Sequence, residues 1–240
     1  MSARVFLTID AEPDCPPYLD GWRGMDEGAP RLLDLLAERG VPATVFTTGE
    51  TARRYPGFVA RLVEEGHEIG CHGMTHRSFR RLDAGEAEEE IRASSQVLRE
   101  AAEVVSFRAP YLQLPERHLP LLEAYGYRLD SSRGRYKPAH WRPAEPSTLR
   151  RVPASMTSSW LRVSPWLRDP ILRALPDPVV LFVHPWEFVD LRDADIPWDC
   201  RLGTGAHALR SLASVLELYQ ASGARFARMR ALLESPPGAP

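Results

Sequence analysis

The stretch VFLTIDAEPDC, residues 5–15, runs from an apolar segment straight into acid. Val5 to Ile9 are apolar and partly β-branched, the pattern of a buried strand. Asp10, Glu12 and Asp14 follow within five positions. A buried carboxylate with no partner is expensive, so these acids at the end of such a strand call for positive charge among them. The source of that charge bears on both the fold and the chemistry.

Outward from this stretch, short apolar runs alternate with helical patterns. Segments 43–48 (ATVFTT), 67–71 (HEIGC), 104–107 (VVSF), 127–132 (YRLDSS), 179–183 (VVLFV) and 224–228 (ARFAR) read as strands. Residues 28–40 read as a helix, with Leu32, Leu33, Leu35 and Leu36 as its apolar stripe and Gly40 as its stop. Residues 56–66 form a second, opened by Pro56 and closed by Gly66. Segments 84–103 and 207–223 read as longer helices, and the run Glu86, Glu88, Glu89, Glu90 as a solvated N-terminal face favoured by the helix dipole. The Pro- and Trp-rich stretch 133–178 carries no assignable pattern.

Strand–helix alternation of this kind implies parallel strands joined by crossover helices. Roughly seven strands suit a closed or incomplete (β/α) barrel, with an open doubly wound sheet as the alternative. Residues 1–235 read as a single domain and 236–240 as a frayed tail. No GxGxxG or GxxxxGK[ST] occurs, so nucleotide binding has no motif support.

The net charge of −2 gives no electrostatic case for nucleic acid or for a charged membrane surface. Cys15, Cys71 and Cys200 are odd in number and widely spaced, which suits a reducing compartment better than a disulfide framework. The N-terminus lacks the apolar run of a signal peptide, and no stretch approaches the ~20 apolar residues of a membrane span. The expectation is a cytoplasmic protein.

The chemically active side chains share an address. Asp10, His72 and His76, Arg108, Asp130 and His184 all fall late in, or just after, expected strands. In a parallel barrel those strand ends converge on the face where active sites form. In CHGMTH the four-residue spacing of His72 and His76 suits one side of a helical turn and a shared metal. Imidazoles plus a carboxylate are a normal set for Zn²⁺ and other divalent ions. His184, after VVLFV, can be a packed core residue or a general acid. Arg108 can be a structural ion pair, a cation holding Asp10 ionised, or both. Trp141, Trp160, Trp166, Trp186 and Trp198 can stack on sugar rings, although core packing is the commoner use of any one. His67, His118, His140 and His207 have no comparable placement and read as structural or surface residues.

Taken together, TIDAEPD, CHGMTH, SFRAPY, LDSS and FVHPWEF resemble the motifs of the polysaccharide deacetylase family (carbohydrate esterase family 4), in the family's order over roughly residues 4 to 190. The resemblance implies a distorted (β/α)7 barrel and a divalent metal, Zn²⁺ foremost, with Co²⁺, Ni²⁺ or Mn²⁺ as alternatives. It implies removal of an N-acetyl or O-acetyl group from a sugar or glycan. It makes Asp10 the general base, His184 the general acid, Arg108 the residue that tunes the base, and His72 and His76 metal ligands. The spacing Asp10-Ala11-Glu12 resembles an Asp-x-Glu branch, which makes Glu12 the acidic ligand, with Asp14 its rival. Tyr111 (through its backbone N–H), Asp130 and Trp186 fall to the substrate. Gly73 stands where the family carries Ser or Thr, so a hydroxyl that braces the loop is missing. Two further readings stay open: hydrolysis of another C–N amide, such as a formylated amino sugar on a lipid carrier or a small cyclic amide or ureide, and a metal-free carbohydrate-binding pseudoenzyme.

Overall fold

The computed structural model describes residues 4–140 and 147–234. In chain order the strands and α-helices are β1 (Arg4–Ala11), α1 (Ala29–Arg39), β2 (Ala43–Thr47), α2 (Gly49–Arg54), α3 (Pro56–Glu64), β3 (Glu68–Cys71), α4 (Ala84–Arg99), β4 (Ser106–Phe107), α5 (Leu119–Ala124), β5 (Leu129–Asp130), β6 (Arg150–Arg151), α6 (Pro165–Arg173), β7 (Val179–Val183), α7 (Trp198–Arg201), α8 (Ala206–Ala221) and β8 (Arg225–Phe226). The expected alternation is present. The paired strands are parallel, and the chain divides into two compact units.

The first unit comprises residues 1–42 and 155–227. Its sheet places β1 between β7 and β8, both parallel to it. Val5, Phe6, Leu7 and Ile9 are buried on β1 and all five residues of β7 are buried. This two-sided burial explains why both strands read as unbroken apolar runs. Helix α1 buries Leu32, Leu33, Leu35 and Leu36, the expected stripe, and ends at Gly40 in the left-handed region (φ 61). Each fully buried leucine stabilises the fold by roughly 1.5–3 kcal/mol. The helix starts at Ala29, one residue later than the pattern suggests, because Gly24–Gly28 forms a single wider turn ahead of it. Gly24 and Gly28 are needed there: a Cβ on Gly24 would lie 2.5 Å from Trp186 N, and one on Gly28 would lie 2.0 Å from Pro185 O.

The second unit comprises residues 43–154 and 228–240. Its strands run in chain order from β2 to β6, each parallel to the next. Buried Glu68 on β3 is fully hydrogen-bonded. It accepts from Thr44 Oγ1 (2.8 Å), Ser106 Oγ (2.6 Å) and the amide of Arg230 (2.9 Å). Helix α4 opens with a reciprocal cap between Asp83 and Glu86 and ends at Arg99, four residues short of the expected 103.

Three expectations need correction. The 104–107, 127–132 and 224–228 strands shrink to pairs, Ser106–Phe107, Leu129–Asp130 and Arg225–Phe226. The stretch 133–178 holds β6, α6 and short 3₁₀ turns. Its pattern was unreadable partly because α6 carries an internal Pro170 and buries an arginine: Arg168 bonds the carbonyls of Leu161 and Ser211 and the hydroxyl of Ser214. Finally, Glu90 does not belong to a solvated face. It is 6% exposed and turned inward, as described below. Trp141 and the 236–240 tail lie outside the described residues.

Candidate active site

In the first unit the site grows from a strand register. β1 and β7 pair with Ile9 opposite Val183, which brings the next residues, Asp10 and His184, to the same strand-end level. His184 Nε2 lies 4.0 Å from Asp10 Oδ2 and 3.8 Å from Glu12 Oε1. Its other nitrogen, Nδ1, is 2.7 Å from Glu187 Oε1, and the same oxygen accepts the His184 amide at 3.1 Å. Behind Glu187 stands Arg162, 3.5 Å from Oε2. Arg162 also donates to the carbonyls of Cys200 and Asp199, at 3.0 Å each. Burial favours neutral Glu187, but the Arg162 charge and the bond to His184 outweigh it and hold the carboxyl below its ordinary value. Burial likewise opposes a charged His184. The field of Glu12, the bond and charge of Glu187 and the field of Asp10 overcome that, and its pKa rises to about 9.

The three acids of the opening stretch have different surroundings. Asp14 Oδ1 accepts the Gly24 amide (2.7 Å) and Oδ2 the Arg23 amide (2.9 Å), so both its oxygens anchor the wide turn before α1. Burial raises the Asp14 pKa against the pull of those two amides. Glu12 is oriented by Trp186, whose Nε1 donates to Oε1 at 3.2 Å. Trp186 is buried and stacks on His184, with ring centroids 4.9 Å apart and planes 21° apart. It lines the acid and the imidazole from within the unit.

In the second unit, β3 and β4 pair with Cys71 opposite Phe107, so His72 and Arg108 emerge side by side. His72 Nδ1 is 2.7 Å from the Arg108 carbonyl. A carbonyl oxygen only accepts, so Nδ1 carries a proton, and in the neutral ring this leaves Nε2 with the lone pair that a metal-ligating imidazole needs. His72 and His76 approach to 5.2 Å between ring centroids. They do not share a helical turn. Residues 72–78 form a loop in which Gly73 (φ 78) and His76 (φ 58) both take left-handed backbone, and this folds the second imidazole back toward the first.

Glu90 braces that loop from α4. It accepts from the amides of Met74 (2.7 Å) and Thr75 (3.0 Å) and from the Thr75 hydroxyl. A carboxylate from α4 thus braces the loop. Arg108 is wholly buried, stacked 4.2 Å from the Phe46 centroid, with Nη2 donating to Ser131 Oγ at 3.0 Å. Ser132 Oγ accepts the Ala109 amide (2.8 Å), fixing the turn into Tyr111. Tyr111 is half-buried in left-handed backbone (φ 60), and its ring meets His76 edge-on at 4.8 Å. Asp130 is buried, with one oxygen on the Ser132 amide (3.0 Å) and the other on Arg151 Nε (2.9 Å). It therefore orders the 130–132 turn.

Three residues with clear positions here were not singled out from the sequence: Glu187, Glu90 and Lys137, whose Nζ donates to the Tyr111 carbonyl at 2.6 Å. A signal existed only for Glu187, an acid three residues after a histidine that ends a strand.

The profile of the family described as Polysaccharide deacetylase matches residues 2–129, more than half of the chain. The chain belongs to the polysaccharide deacetylase family. It is similar to a chitooligosaccharide deacetylase of Bradyrhizobium sp. (strain ANU 289), 34% identical over 110 residues, 45% of each chain. It is also similar to a peptidoglycan-N-acetylglucosamine deacetylase of Bacillus cereus, 32% identical over 119 residues, covering 49% of this chain and 39% of that one. The matches thus span less than half the length of these curated relatives. Among solved structures, a family 4 carbohydrate esterase from Streptomyces lividans in complex with acetate superposes with a TM-score of 0.63 at 19% identity, covering 92% of this chain and 90% of that one. The fold is the distorted (β/α)7 barrel of that family, as the alternating elements imply. Among the described residues no helix is long and apolar enough to cross a membrane.

Proposed function

We propose that this chain is a metal-dependent hydrolase that removes the N-acetyl group of an acetylated amino sugar or glycan, with residues 1–235 acting as one catalytic domain. The observation that carries the reading is the His184 environment. A buried imidazole held by Glu187 on one nitrogen faces Asp10 and Glu12 with the other. That is an acid poised beside a candidate base.

The donor set fits a divalent cation: Glu12, His72 and His76 offer one carboxylate and two imidazoles. The proton fixed on His72 Nδ1 and the Trp186 bond that orients Glu12 are features such ligands use. Asp14 is the weaker rival, since both its oxygens already accept backbone amides. Zn²⁺ is the first choice, with Co²⁺, Ni²⁺ or Mn²⁺ as alternatives. A cation held there supplies Lewis-acid polarisation of the acyl carbonyl and acidifies water.

The chain's own groups do the rest. Asp10 takes the proton from the attacking water, with Arg108 as the residue assigned to tune it. The Tyr111 amide, presented by its left-handed turn, receives developing charge on the carbonyl oxygen. His184, protonated and oriented by Glu187, gives its proton to the departing amine. Trp186 shapes the wall behind His184, and Asp130 holds the turn beside the substrate. Acetate and a free amino sugar leave.

Acetate release from chitooligosaccharide and from peptidoglycan, with metal and with chelator, tests this. Asp10→Asn should retain its metal and lose about 10²–10⁴ in rate. Near-normal turnover by that variant removes Asp10 as base. Acid released only from formylated sugars or ureides moves the reaction to the other amides.

A further inference from the structure

Lys137 is the only lysine in the chain. It lies in a segment, 133–140, with Arg133, Arg135 and His140 and no Asp or Glu. Its side chain is half-buried, and Nζ donates to the backbone carbonyl of Tyr111 at 2.6 Å. Tyr111 in turn meets His76 edge-on at 4.8 Å, and His76 stands 5.2 Å from His72. The ammonium is therefore one residue removed from the proposed metal-binding histidines, all within one compact unit.

The acids Glu116 and Asp130 are both engaged by Arg151, at 2.6 and 2.9 Å. Among the described residues no carboxylate pairs with Lys137. Burial lowers its pKa, and burial together with the charges of Lys137, Arg133 and Arg151 lowers that of His140. His140 in its neutral form accepts the Gly134 amide on Nδ1 at 2.9 Å. An ammonium has three donors and a single carbonyl uses one of them. A partly desolvated cation with spare donors favours a ligand that supplies an anion.

We infer that Lys137 anchors an oxyanion, a carboxylate or a phosphate carried by the sugar substrate, beside the Tyr111 turn. This rests on the deacetylase reading and narrows it to acidic sugars. The competing role for Lys137 is to hold the Tyr111 carbonyl in its left-handed turn.

A single lysine makes the test direct. Reductive ¹³C-methylation of the whole protein labels Lys137 as the sole lysine side chain, read by NMR apart from the α-amine. Titration with N-acetylmuramic acid or N-acetylglucosamine 1-phosphate should shift its resonance, and N-acetylglucosamine should not. The arm that responds tells carboxylate from phosphate. In parallel, Lys137→Gln should lower the ratio of kcat/KM for acidic over neutral acetylated sugar by about tenfold or more, the worth of one charge-assisted bond. Equal shifts with all three sugars, no shift with either acidic sugar, or an unmoved ratio would overturn the inference. The NMR arm needs no turnover, so a failure of deacetylation and a failure of anion binding are read separately.

Discussion

Glu187 Oε1 lies 2.7 Å from Nδ1 of His184, and Arg162 lies 3.5 Å behind on the other carboxylate oxygen. This three-membered relay fixes which imidazole nitrogen faces Asp10 and Glu12. It also leaves a buried cation and a buried anion dependent on each other.

Glu187→Gln should therefore act on both rate and stability. Without the carboxylate His184 loses a principal source of its raised pKa, so the general acid is deprotonated at lower pH. The alkaline limb of the kcat profile should move down in pH. The variant should also be less stable by about 3–5 kcal/mol, the cost of stranding one member of a buried pair, although the carbonyls of Cys200 and Asp199 soften it. A pH–rate series and a urea melt check both halves. An unmoved alkaline limb would show that Glu187 does not govern His184.

Glu12 and Asp14 should separate cleanly. Glu12→Gln should abolish tight metal binding. Asp14→Asn should keep the metal and lose stability, because an amide oxygen is a weaker acceptor for the Arg23 and Gly24 amides. Loss of the two bonds is worth about 1–3 kcal/mol each. Elemental analysis with thermal melts of the two variants decides it. Metal lost from Asp14→Asn and retained by Glu12→Gln reverses the assignment.

Glu90→Ala should leave the Met74 and Thr75 amides without an acceptor and release the loop that carries His76. Metal affinity should fall about 10–100-fold, as for other groups that support ligands. Gly73→Ser should not substitute for the Glu90 brace. At φ 78 its Cβ would lie 3.3 Å from Glu90 Oε2, so a loss of about 1–2 kcal/mol is expected from left-handed backbone alone. A competitive metal titration and melts of both variants test the pair.

The metal-free protein should have a stability maximum near neutrality. Burial lowers the pKa of His67 and of His118. The unfolded chain then binds more protons below about 6.5, so stability falls as pH drops through that range. His184 has the opposite sign. Its pKa is raised to about 9, so its contribution is fully present below about 6.5 and is lost as pH rises through about 9. Urea unfolding at a series of pH values should show both limbs. His67→Gln should flatten the acid limb and His184→Gln the alkaline one.

The parts legible in the sequence were those set by neighbours along the chain. Two-sided apolar runs made β1 and β7 readable, a leucine stripe and a glycine stop made α1 readable, and strand-end placement marked Asp10, His72, Arg108 and His184. β4 and β5, only a residue pair each, were over-read, because apolar residues beside a short strand look like more strand. The 133–178 stretch was opaque because its buried arginines, Arg162 and Arg168, obey distant carbonyls and carboxylates, which no periodicity records.

Which apolar runs become the central strands, and which face of α1 is greasy, follow from composition at spacings of two and of three or four, so the chain alone determined them. What only the folded structure decided is how the polar groups are partnered. Glu90 turned inward because two loop amides needed an acceptor, Asp14 went to the turn before α1, and Glu187 found Arg162 twenty-five residues upstream. A buried hydrogen bond or ion pair is satisfied by whatever the tertiary fold brings within about 3 Å, and sequence spacing does not encode that proximity.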